Sequence, residues 1–221
     1  MFTVKDCALL NLAVYEMLPA RVTWDHFDDG VADDGVCWAV KHIDDVAVVT
    51  LRGSVTMMDW FRDMMAIVKP WGHPGLGPVH PGMYLGMTQV WSEIKAVIRP
   101  GEKVVLNGHS LGAARACTLA GLMVLDGMPP VARVGFGCPK PGFQTLADLT
   151  AKVQAFSYKH VTAAHHDLVT DVPFTIPPED YVHASVPMLL FSAAPGFDPW
   201  GSFRLHHMEL YAEVAPPDVV V

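Results

Sequence analysis

The stretch KVVLNGHSLGAARACTLAGLMVLDG, residues 103–127, limits the possible folds more than any other part of the chain. A short β-rich run, KVVLNG, stops at Gly108, and an Ala- and Leu-rich helix-forming run opens at Leu111 and closes on Gly127, as a helix end should. Between them stands Gly108-His109-Ser110-Leu111-Gly112, a G-x-S-x-G pattern. Glycines flank the serine because so sharp a strand-to-helix turn leaves no room for side chains. A strand and a helix must therefore lie back to back, with Ser110 presented at the corner.

The rest of the chain continues the alternation. Residues 5–18 place Ala8, Leu9, Leu12 and Tyr15 at helical spacing and predict an opening helix. After an acidic, turn-rich stretch, VCWAVKHI (36–43) and VAVVTLRG (46–53) are β-rich runs parted by Asp44-Asp45, which predicts a tight hairpin. Met83, Met87, Val90, Trp91, Ile94, Val97 and Ile98 recur mostly at three- and four-residue steps until Pro100, and predict one core-facing helix. Downstream, VARVGFG (131–137) reads as a strand, 143–151 as a short helix and KVQAFSYKH (152–160) as a strand. YVHASVPMLLF (181–191) is extended but interrupted by Pro187, and LHHMELYAEV (205–214) reads as a last helix with His206 at its start. Strands alternating with helices predict an α/β fold: a mainly parallel central sheet covered by helices on both faces, with right-handed connections.

Composition limits the function classes. With 51% apolar and 17% charged residues the chain lies outside the disordered regime, and its 221 residues suffice for one domain, expected over 1–221. A net charge of -8 argues against a nucleic-acid partner, whose contact face needs the opposite sign. Cys7, Cys37, Cys117 and Cys138 show no C-x-x-C spacing and are expected as free, buried thiols. Eleven histidines match no H-E-x-x-H or helical metal pair, so neither a metal nor a cofactor is expected. His73 and His80 are expected to be packed or exposed, not catalytic. No window reaches the roughly 18 apolar residues of a membrane span. Asp6, Asn11 and Glu16 interrupt the first apolar stretch, so no signal peptide is expected. The default expectation is a cytoplasmic monomer, with release by lysis or non-classical export as the other route.

A serine hydroxyl is a weak nucleophile at neutral pH and needs a base, and the base needs an orienting group. On strand–serine–helix corners of this kind the partners follow in the order acid, then histidine. Asp167 follows the strand at 152–160, where the C-terminal edge of a sheet would deliver it, and His206 comes later. The N–H of Leu111, the residue after the serine, is the expected first donor to a tetrahedral oxyanion. His109, inside the pentad, is expected to support the turn.

Six blocks, in order, resemble the class 3 lipase family of fungal and plant lipases: VVTLRGSVTMMDWFRD (48–63), VHPGMY (79–84), VVLNGHSLGAARACTLA (104–120), VGFGCPKPG (134–142), DLVTDVP (167–173) and HHMELY (206–211). The resemblance spans nearly the whole chain and implies an α/β-hydrolase fold and a lipase or esterase acting on an ester substrate, with a lipid interface as its candidate partner. It implies Ser110 as nucleophile, Asp167 as acid and His206 as base. His207 is the competing base, but His206 fits the family frame in which the histidine stands five residues before a tyrosine, here Tyr211. It also implies Ser54 as the second oxyanion donor, Asp63 as support for the Ser54 hydroxyl, and a lid carrying Met57, Met58, Trp60 and Phe61. On their residues alone, Asp59 and Asp63 read equally as helix-surface acids, and the Met-rich segment as a buried core helix. Cys138, Lys140 and Ala113 depart from the family's usual Gln, Arg and Gly, which bears on substrate preference more than on mechanism. A catalytically dead binding module, or a phospholipase, thioesterase or peptidase on the same fold, are the alternative readings.

Overall fold

The computed structural model describes residues 2–16, 22–30, 35–54, 70–173, 180–192 and 201–221. Along the chain these form α1 (Val4–Glu16), β1 (His26–Asp28), β2 (Trp38–Ile43), β3 (Val46–Leu51), β4 (Trp71–His73), β5 (Gly77–Val79), α2 (Pro81–Tyr84), α3 (Met87–Val97), β6 (Lys103–His109), α4 (Leu111–Leu125), β7 (Ala132–Phe136), α5 (Gln144–Thr150), β8 (Gln154–Val161), β9 (Met188–Phe191), α6 (Gly201–Arg204) and α7 (Met208–Val214). A 3-10 turn spans Leu168–Asp171.

Seven strands form one sheet in the order β1-β2-β3-β6-β7-β8-β9, and β4-β5 form a separate hairpin. β1, β2 and β3 pair antiparallel, whereas every neighbour from β3 to β9 is parallel. The C-terminal ends of β6, β7 and β8 therefore share one edge of the sheet, where an open parallel sheet places its site.

Alternation along the strands fills two cores. Ala47, Val49 and Leu51 of β3 and Val104 and Leu106 of β6 face α3 and α4, meeting Met87, Ile94, Leu119 and Met123. Val105 of β6 and Ala132, Val134 and Phe136 of β7 face the other way, onto Val4, Cys7 and Ala8 of α1 and Met208 and Tyr211 of α7. Helix α4 lies against the sheet with buried residues all round its first three turns, which its Ala- and Gly-rich sequence permits.

The structure departs from the predicted elements in places. The apolar run from Met83 is two helices, not one: Gly86 takes the left-handed conformation (φ 80°) between α2 and α3. The last helix begins at Met208, so His206 lies in the turn before it. Only Met188–Phe191 of the extended segment at 181–191 is a strand, starting just after Pro187. β1 and the β4-β5 hairpin carried too few residues to show a period. Among the described residues no helix is long and apolar enough to cross a membrane, and all four cysteines are buried free thiols.

Candidate active site

β6 runs directly into the corner: Ser110 N–H donates to the Phe136 carbonyl at 2.9 Å, extending the ladder to β7 one residue past the strand. Ser110 has φ 57° and ψ −129°, a positive φ that L-residues rarely adopt. A β-carbon on Gly108 would collide with the backbone of Gly112 and Ala113, and one on Gly112 with Leu51 and Arg52. The pentad's glycines are thus demanded by close backbone approach. Leu111 opens α4, where an N–H has no intrahelical acceptor. Leu111 and Ser54 line one small cavity of about 280 Å³, together with Arg52, Gly53 and Arg115. Gly53 stands so close that a β-carbon there would lie 3.2 Å from Ser110 Cβ.

Asp167 leaves the end of β8 with its N–H bonded to the His160 carbonyl at 3.0 Å. Its buried carboxylate is fully engaged: Oδ1 accepts the Val169 N–H at 2.9 Å, while Oδ2 accepts from His206 Nδ1 at 2.7 Å and from the Tyr211 hydroxyl at 2.6 Å. Burial alone would raise the Asp167 pKa, but the His206 charge and these hydrogen bonds outweigh it, and the net shift is below the ordinary carboxylate value. Donation from Nδ1 to the carboxylate leaves the lone pair of His206 on Nε2. That nitrogen is buried and has no hydrogen-bond partner. His207, the competing base, is more than half exposed, and its nearest acid is Glu209 at 3.9 Å.

Two further residues shape the pair. Gly137 follows β7 with φ 58°, and a β-carbon on it would come within 2.8 Å of Asp167 Oδ2 and of the His206 ring. His109 stacks at a tilt beside His206, ring centroids 4.7 Å apart, and bonds the His206 carbonyl through Nε2 at 2.6 Å. The tyrosine that served only as a spacing mark is itself an Asp167 donor, and Gly137 was visible only as a glycine inside a β-rich block. Met57, Met58, Trp60, Phe61 and Asp63 lie outside the described residues. Among the described residues no cluster of three or more His, Cys, Asp or Glu could hold a metal ion.

A serine on a strained strand-to-helix corner, a buried Asp–His pair and a mainly parallel sheet define an α/β hydrolase-type protein. The chain belongs to the class 3 lipase family, whose model matches residues 48–176. It is 29% identical over 193 residues to the secreted mono- and diacylglycerol lipase A of Penicillium cyclopium, a match covering 81% of this chain and 59% of that protein. A match to the secreted mono- and diacylglycerol lipase 1 of Fusarium solani is 28% identical over 118 residues, 51% of this chain and 35% of that one. The chain therefore spans less than two thirds of the length of these curated relatives. In fold it resembles the triacylglyceride lipase of Rhizomucor miehei, with a TM-score of 0.64 at 18% identity over 85% of this chain and 78% of that one. The triacylglycerol lipase of Penicillium expansum gives a TM-score of 0.62 at 20% identity, over 85% and 77%.

Proposed function

We propose that this chain hydrolyses carboxylic esters of lipids, with Ser110 as nucleophile, His206 as base and Asp167 as the group that orients it. The observation that carries the reading is the buried Asp167–His206 bond of 2.7 Å, with the opposite ring nitrogen unpartnered, at the sheet edge that also presents Ser110. His206 Nε2 takes the Ser110 proton as Oγ attacks the ester carbonyl; the leaving alcohol receives that proton, and an acyl-enzyme remains. Water, deprotonated by the same nitrogen, then releases the acid. The N–H groups of Leu111 and Ser54 are the proposed donors to the developing oxyanion, each worth about 10²–10³ in rate.

Replacing Ser110 by Ala is expected to abolish ester turnover and phosphonate labelling while the circular dichroism spectrum is kept. Substantial turnover by the pure variant would overturn the assignment. Mono- and diacylglycerols are the first substrates to assay, because the relatives' names specify them. A chain-length series of p-nitrophenyl esters, below and above the micelle threshold, separates a lipase from an esterase: a rate that climbs with aggregation is expected, and equal rates on monomer and micelle would count against a lipid-surface substrate.

A further inference from the structure

The acyl-transfer scheme makes no use of Tyr15, a half-buried phenol near the C-terminal end of α1. Its hydroxyl lies 2.9 Å from His109 Nδ1, and it abuts Gly53 in the loop that leads to Ser54. Across the same imidazole, Nε2 lies 2.6 Å from the His206 carbonyl oxygen. The proton positions along this path are forced. A carbonyl oxygen can only accept, so Nε2 carries hydrogen; a neutral ring then has its lone pair on Nδ1, and the Tyr15 O–H must donate to it. The ring is neutral because burial, helped by the His206 charge, drives the His109 pKa down to about 3 against the opposing His206 backbone hydrogen bond. The two rings also meet edge to face, with centroids 5.6 Å apart.

We propose that Tyr15 is a positioning residue: through His109 it fixes the main chain of His206, and through its contact with Gly53 it fixes the oxyanion loop. One phenol on the opening helix thereby sets the spacing between the base and the oxyanion donors, on either side of Ser110. The two sites it serves come from opposite halves of the chain: the hydroxyl touches Gly53 directly and reaches His206 through His109. This inference rests on the ester-hydrolase reading above. A phenol that merely filled the core would not need its oxygen, and that difference can be measured.

Tyr15→Phe keeps the ring and removes the hydroxyl. Its kcat on a soluble short-chain ester is expected to fall about 3- to 10-fold, the scale of one hydrogen bond, with KM within about twofold. His109→Gln can still donate at one end and accept at the other, whereas His109→Leu can do neither, so the Gln variant is expected to keep several-fold more kcat. NMR of histidine-nitrogen-labelled protein is expected to show His109 as the Nε2–H tautomer, and the His206 Nδ1 proton is expected to broaden in Tyr15→Phe. An unchanged kcat in folded Tyr15→Phe, equal losses in the Gln and Leu variants, or an Nδ1–H tautomer at His109 would each overturn the proposal. Failure of the hydrolase reading looks different: wild-type Ser110 would not react with a phosphonate, while the spectrum would still judge the hydrogen-bond path.

Discussion

Asp167 Oδ2 receives two donors, His206 and Tyr211, and the second has consequences for pH. A carboxyl whose folded pKa is depressed stabilises the fold above its unfolded pKa, and that contribution is lost as pH falls through the folded value. Tyr211→Phe deletes one donor and shifts the Asp167 pKa upward, so acid destabilisation should begin at higher pH than in the wild type. Melting curves between about pH 3 and 6 test this, and superimposable profiles would show that Tyr211 does not hold the carboxylate. Gly137→Ala should act more bluntly. Its β-carbon would meet Asp167 and His206 at 2.8 Å in a left-handed backbone. Displacing the pair by a fraction of an ångström is expected to lower kcat about 10²-fold with the fold retained, and kcat near wild type would refute that geometry. Ser110, Asp167 and His206 could be proposed from the sequence because each stands in a short block with an order and a spacing. Tyr15 was not, since its partner His109 is 94 positions away and nothing local to residue 15 marks it.

The inner strands β2, β3, β6, β7 and β8 were easy to read because each is a short apolar run bounded by turn residues, and β6 to α4 was readable to within a residue or two. The division between α2 and α3 was not. Met83, Met87 and Val90 keep helical steps across the break, and all three are buried, so the pattern continues while the backbone turns at Gly86. With φ at 80°, Gly86→Ala is expected to cost about 1–2 kcal/mol, lowering the melting temperature by roughly 2–8 °C. A variant as stable as the wild type would mean that the break does not need a left-handed residue. The start of α7 escaped for a related reason: Leu205 and Met208 are both buried and three apart, which suits a turn as well as a helix. The consequence is functional, for the turn is what lets the His206 carbonyl point at His109 rather than at a helical N–H.

Across the whole molecule, burial of all four thiols makes reactivity a measure of unfolding. Native protein is expected to be inert to a thiol-specific disulfide reagent and to release four equivalents once denatured, and rapid native reaction would contradict the packing. Residues 2–5 are tied to the segment at 212–221. Val4 N–H donates to the Val219 carbonyl at 2.9 Å, Val221 N–H to Phe2 at 3.1 Å, and Thr3 bridges Val220 antiparallel. Lys5 in turn reaches the last carbonyls of α7, where a cation is favoured. With residues 2 and 221 thus side by side, a short linker could join them and the backbone be reopened at the exposed Gly101 turn. Such a circular permutant would keep α1, and with it Tyr15, in place, so it should remain active; it would also ask whether the order in which these segments leave the ribosome matters to the finished site.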